Sequence, residues 1–186
     1  MIEALIVIDV QNDFCPGGSL AVSCGDEIID PINAMIDETS LVVLSQDWHP
    51  LDHTSFAQNH DDKTPFMEIE MPYGPQTLWP NHCVQGTAGA EFHKRLNVDR
   101  ADAIIRKGMN PSIDSYSTFF ENDRKTPTGL LGFLRERDVK SLLLVGLATD
   151  FCVAFSALDA VENGFDVKIK MDACRGIDNA CSMDAA

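Results

Sequence analysis

Apolar runs of strand length alternate along this chain with stretches whose apolar residues return at helical spacing. Ala4 to Val10 (ALIVIDV) and Leu41 to Ser45 (LVVLS) are nearly continuous apolar segments, the pattern of strands buried on both faces. Ala103–Arg106, Leu142–Val145 and Asp166–Met171 add three more strands. Between them, Ile28, Ile29, Ile32, Met35 and Ile36 predict a helix that starts near Asp30 and carries Pro31 in its first turn. Gly129–Arg137 predicts a second helix, and Thr87–Leu96 a short one. A further helix follows Cys152, with Val153, Ala157, Leu158 and Val161 on one side. Strands alternating with helices predict an α/β fold: a central, mostly parallel sheet with helices on both faces.

One segment breaks the alternation. Gln46 to Thr87 has many turn residues and little periodicity, and it exceeds the roughly 15 residues of an ordinary connection. It carries Trp48, Trp79 and four of the five histidines, which predicts an ordered functional insertion.

Composition narrows the class. The 186 residues are 45% hydrophobic and 23% charged, ordinary values for one globular domain spanning residues 1–186. Fourteen basic against 29 acidic side chains give a net charge of −15, which disfavours nucleic acid or an anionic membrane as partner. Six cysteines stand at positions 15, 24, 83, 152, 174 and 181. Met1-Ile2-Glu3 leads straight into a strand-like run rather than a secretory leader. The expectation is therefore reduced thiols and a cytoplasmic location. No apolar run approaches the roughly 20 residues that cross a bilayer.

The candidate chemistry sits where predicted strands end. Asp9 closes the first strand, Lys107 the third, and Cys152 follows the SLLLV strand at the turn into a helix. Backbone amides and the helix dipole at such a turn favour a thiolate and can hold an oxyanion. Singly, each residue has a plainer reading: a strand-end cap, a solvated lysine, a buried structural cysteine. Jointly they point to acyl transfer, because the strand ends of a parallel sheet share one edge. A thiol there needs a base, for which Asp9 is placed, and a cation, for which Lys107 is placed. Asp47 and His49, two apart along an extended segment, could share a metal ion with His82, or be surface polar residues. Such oxygen and nitrogen ligation suits zinc, iron or manganese.

Longer motifs then make the sequence familiar. It resembles the nicotinamidases (pyrazinamidases) of the isochorismatase-like cysteine hydrolases from Leu5 to Ile177. The resemblance rests on IDVQNDF, SQDWHP, WPNHCVQGTAGAEFH, IRKG, YSTFF, GLATDFCV and DACRG, in that order. It implies a Rossmann-like three-layer α/β/α fold and a metal-dependent amidohydrolase of the NAD salvage route, converting nicotinamide to nicotinic acid and ammonia through a cysteine thioester. Asp9, Lys107 and Cys152 match the family triad. Asp47, His49 and His82 match the ligands of one divalent ion, zinc first, with iron or manganese as alternatives. Phe14, Leu20, Trp79 and Tyr116 match positions lining the ring pocket. The peptide before Ala148 is expected to be cis, with the amides of Ala148 and Cys152 forming the oxyanion hole. His53 stands closer to His49 than in members where a histidine is a fourth ligand, so it is left out of the set. Phe151 replaces a polar residue or histidine of some relatives. The implied partners are small molecules, nicotinamide or pyrazinamide. The family continues through a last helix and strand beyond DACRG, so either a tail is missing after Ala186 or a sheet edge is left for a partner subunit to cover in a homo-oligomer. Rival readings are a cysteine amidohydrolase for ureido or carbamoyl amides, which has no need of Asp47, His49 and His82, and a non-catalytic metal or redox-sensing protein.

Overall fold

The structure, a computed structural model, describes residues 2–185. In chain order these form β1 (Ile2–Ile8), α1 (Ile29–Glu38), β2 (Val42–Asp47), a hairpin of β3 (Glu68–Met71) and β4 (Gly74–Thr77), and β5 (Ala103–Lys107). Then come α2 (Leu130–Arg135), β6 (Val139–Leu147), α3 (Ala154–Glu162), β7 (Asp166–Arg175) and a terminal turn α4 (Ser182–Ala185). Five strands make one sheet in the order β5-β2-β1-β6-β7, and every neighbouring pair is parallel. Their carboxyl ends therefore lie along a single edge.

The alternation of side chains along each strand divides the core in two. Leu5, Val7, Val42, Leu44, Val145 and Leu147 pack with Ile29, Ile32 and Ile36 of α1 on one face. Ala4, Ile6, Ile8, Val43, Leu142 and Leu144 pack with Leu130 and Leu134 of α2 and Ala160 of α3 on the other. Each large aliphatic side chain so buried contributes about 1.5–3 kcal/mol, before the entropy cost of ordering it. The three-layer α/β/α arrangement is the expected one. Among the described residues, no helix is long and apolar enough to cross a membrane.

Gly146 fixes how closely two central strands approach. Its φ is +120°, and a Cβ there would collide with the carbonyl oxygen of Ile8. Glycine alone satisfies both conditions, so β6 can run on to Leu147 beside the end of β1.

Two expected elements differ. Thr87–Leu96 is not a helix; only Ala88–Ala90 makes a 3-10 turn. The backbone groups of this stretch are used elsewhere: Asn12 N–H donates to Glu91 O and His93 N–H to Val10 O. Pairing with the loop after β1 wins over the local helical pattern. The second difference is the face of α3. Leu158 and Val161 are 58% and 60% exposed, in a surface groove shared with Ile169 of β7. The buried residues of α3 are Ser156, Asp159 and Ala160. Polar anchors explain the rotation: Ser156 Oγ accepts from Thr118 N–H at 2.9 Å and donates to Cys152 O at 2.5 Å, while Asp159 pairs with Arg124 at 2.8 Å. Thr118 and Arg124 lie on the segment before α2, whose polar residues the strand-and-helix pattern does not address.

Candidate active site

Asp9 is the first residue past β1, and its backbone turns into the left-handed region with φ +50°. Aspartate tolerates that conformation better than most residues, and the turn takes its side chain away from the strand direction. The carboxylate is fully buried. Its Oδ1 accepts from Ser45 Oγ at 2.6 Å, and Oδ2 lies 2.9 Å from Lys107 Nζ.

Lys107 ends β5 and is itself buried. Besides Asp9, its ammonium donates to Asp47 Oδ1 at 2.5 Å and Ser115 O at 2.8 Å, and it lies 3.5 Å from Cys152 Sγ. Burial works against the lysine charge, but Asp47 and Asp9 outweigh it and hold the group well above its ordinary range. Burial likewise opposes the charge of Asp47, yet Lys107 and His49 hold that carboxyl well below the usual value.

Cys152 sits inside a five-residue π-helical turn, Thr149–Val153, that joins β6 to α3. Its position does not produce a standing thiolate. Burial pushes the thiol well up, Lys107 pulls it back only in part, and Asp9 and Asp47 add to the rise. Burial raises Asp9 too, against the pull of Lys107. The resting site thus holds one cation, one firmly ionised carboxylate, and a thiol beside a carboxyl able to exchange its proton. The peptide between Leu147 and Ala148 is cis, as expected.

On the other side of Asp47 stand two imidazoles. His49 Nδ1 is 2.9 Å from Gly108 O, and His82 Nδ1 is 2.8 Å from Pro80 O. A carbonyl only accepts, so both rings carry their proton on Nδ1 and present bare Nε2 atoms. Those atoms lie 3.2 Å and 3.6 Å from Asp47 Oδ2. Three acceptors facing one another need a cation between them or an added proton, and the set fits a divalent metal ion. Gly108 makes room for it: its φ is +64°, and a Cβ there would strike the His49 ring.

His53 is brought against His49, with ring centroids 4.3 Å apart, and it forms a second close group with His49 and Asp114. Both its ring nitrogens are engaged, Nδ1 by Ser55 Oγ at 2.7 Å and Nε2 by Ile113 O at 3.2 Å. Burial and the neighbouring His49 push its pKa down to about 4.

Asp47, His82 and Cys152 reach one cleft, which is also lined by Phe14, Leu20, Trp79, Tyr116 and Ala148. Trp79 meets Phe151 edge-on at 4.9 Å and Tyr116 at 6.3 Å, so a flat ring would be enclosed by aromatic edges and faces.

Residues 3–186 match the Isochorismatase domain family. The chain belongs to that family. It is 53% identical over 183 residues to the nicotinamidase of Acinetobacter baylyi, covering 98% of this chain and 86% of the relative. The fold is similar to the solved structure of an Acinetobacter baumanii nicotinamidase/pyrazinamidase, with TM-score 0.97, 55% identity, and coverage of 98% of this chain and 88% of that one. It is also similar to the pyrazinamidase of Pyrococcus horikoshii in complex with zinc, with TM-score 0.79, 39% identity, and coverage of 100% and 92%.

Around the residues that the isochorismatase-family motifs supply, the structure adds others that pattern reasoning missed. Gln11 grips the backbone of Asp47 from both sides: its Oε1 accepts from Asp47 N–H and its Nε2 donates to Asp47 O, each at 2.8 Å. Asp114 enters the cleft, held by Gln76 Nε2 at 2.7 Å and the Ser115 N–H at 2.8 Å. Asp150 accepts from the Ile177 and Asp178 amides, fixing Ile177 on the cleft wall. The IDVQNDF motif contained Gln11. Asp150 lies within GLATDFCV, and Asp114 had no sequence signal beyond a polar residue close to YSTFF.

Proposed function

We propose that this chain is a nicotinamidase that hydrolyses nicotinamide to nicotinic acid and ammonia, using Cys152 as nucleophile and Asp9 as base. The observation that carries this is the convergence of Asp9, Lys107 and Cys152 beside a buried Asp/His/His set, with Asp47, His82 and Cys152 reaching one cleft lined by aromatic residues. The high identity to named nicotinamidases supports the same reading.

The thiol gives its proton to Asp9, and Sγ attacks the carboxamide carbon. The backbone amides of Ala148 and Cys152 receive the developing oxyanion. Asp9 returns the proton to the amide nitrogen, the C–N bond breaks, and ammonia leaves a thioester on Cys152. Water then loses a proton to Asp9 and attacks the acyl carbon. Nicotinic acid departs, and the proton returns to Sγ. Lys107 remains charged throughout and fixes the carboxyl and the sulfur relative to each other. Phe14, Leu20, Trp79 and Tyr116 sandwich the ring. A divalent ion, zinc first, held by Asp47, His49 and His82 would supply a Lewis-acid anchor for the pyridine nitrogen.

The test is ammonia release from nicotinamide by the purified protein, before and after chelation. Activity that falls on chelation and returns with added zinc is expected. Cys152→Ala should reduce kcat by about 10⁴–10⁶. Release that survives complete removal of metal overturns the metal's part, and release that survives the cysteine substitution overturns the thioester.

A further inference from the structure

Asp9 has two oxygens with different surroundings, and one residue separates their roles. Ser45 lies in β2, beside β1, and is 1% exposed. Its hydroxyl donates to Asp9 Oδ1 at 2.6 Å and accepts from Asp9's own N–H at 3.2 Å. One side chain thus closes a ring on both the backbone and the carboxylate of the same residue, at the point where Asp9 leaves the extended conformation with φ +50°. The other oxygen, Oδ2, is buried and has no partner besides the Lys107 ammonium at 2.9 Å among the described residues. A carboxylate fixed through one oxygen leaves the second as its proton acceptor, and the Lys107 ammonium that holds Oδ2 also lies 3.5 Å from Cys152 Sγ.

We infer that Ser45 is the positioning residue of the base: it locks Oδ1 onto β2 so that Oδ2 is the oxygen presented to Lys107 and the Cys152 thiol. The inference rests on the reading of Asp9 as the base. Without the hydroxyl, the carboxylate loses both its tether and the support for its left-handed backbone, and it can swing about χ1 toward the ammonium alone. Positions within about 0.5 Å decide such transfers, so a small displacement costs rate while leaving the ring pocket intact.

Threonine and valine are nearly the same size and both suit a strand, but only threonine keeps the hydroxyl. Ser45→Thr and Ser45→Val therefore separate the hydrogen bond from packing. Ser45→Val is expected to lower kcat about 10- to 100-fold, with KM for nicotinamide and bound metal within about twofold of the parent protein. Alkylation of Cys152 by iodoacetamide, which needs no substrate, should slow in parallel. Ser45→Thr should restore both rates to within a few-fold. Equal kcat and alkylation rates for the valine and threonine variants would overturn the inference, as would a loss confined to KM or to metal content. Asp9→Asn distinguishes the two levels of failure. If it is inactive while Ser45→Val is fully active, only the role of Ser45 falls. If Asp9→Asn keeps its kcat, the assignment of Asp9 as base falls, and that of Ser45 with it.

Discussion

Two regions meet in the cleft, and they are built in opposite ways. The groups proposed to react stand at or just past the ends of parallel strands: Asp9 after β1, Lys107 ending β5, Cys152 in the turn after β6. The proposed ring pocket and two of the three proposed metal ligands come from connecting segments: Phe14 and Leu20 after β1, His49, Trp79 and His82 between β2 and β5, Tyr116 beyond β5. Strand ends are held by ladder hydrogen bonds to a neighbour on at least one side and by two packed cores, so their spacing is set by the 4.7–4.9 Å strand separation. Loop residues hold their places through individual polar contacts, such as the Gln11 grip on Asp47 and the carbonyls behind His49 and His82. Asp47 belongs to both regions. It is the last residue of β2, one oxygen faces Lys107, and the other faces the histidines. The lesson is that chemistry is placed on the rigid part, and recognition on the part that can vary.

Substitutions should sort along that line. Lys107→Met should have the largest effect. It removes the one cation between Asp9 and Asp47, lowering kcat by about 10²–10⁴-fold and stability by about 3–5 kcal/mol. Ammonia release and denaturant titration measure the two. A variant that retains full activity would mean that the strand edge does not carry the chemistry. Gly108→Ala comes next and strikes the loop side. The methyl group would displace the His49 ring, so bound metal measured by mass spectrometry should fall about 10- to 100-fold in affinity. The alkylation rate of Cys152 should change much less. Trp79→Ala is smaller again and should appear in KM, which rises about 10- to 30-fold for the loss of roughly 1.5–2 kcal/mol of ring contact, with kcat moving less. If kcat fell and KM did not, the division between recognition and chemistry would fail.

The smallest effect lies outside the cleft and is a matter of pH. Glu121 is buried, and burial together with Asp123 pushes its carboxyl up to about 7. The folded state then binds a proton that the unfolded chain gives up at its ordinary value of 4.5. Stability falls as pH rises from about 4.5 through 7, and the loss is complete above that. Glu121→Gln should remove this slope, with a higher melting temperature than the parent at pH 8 and little difference at pH 4.5.

Legibility followed the same division. The runs ALIVIDV, LVVLS, Ala103–Arg106 and SLLLV announced the strands at or beyond whose ends Asp9, Asp47, Lys107 and Cys152 stand, spacing raised His49 and His82 as partners of Asp47, and the family motifs supplied the pocket residues. The face of α3 was misread because Leu158 and Val161 look like core residues. Only the packed structure shows that Ser156 and Asp159 find polar partners inward. The helix expected over Thr87–Leu96 does not form for a related reason, since the Glu91 carbonyl and the His93 N–H pair with the loop after β1.

Sequence alone determined the α/β class, the parallel sheet and the residue types gathered at its carboxyl edge, because strand periodicity and the geometry of parallel crossovers are local properties of the chain. Tertiary structure decided what those residues are to one another. The resting protonation of Cys152, the sharing of Lys107 between two carboxylates, the Nδ1 tautomers of His49 and His82, and the tether from Ser45 to Asp9 all depend on burial and on distances of about 3 Å between groups 36 to 98 positions apart or set by a loop carbonyl. Hydration and hydrogen-bond partners are fixed only when the chain closes on itself, so no reading of neighbours along the sequence contains them.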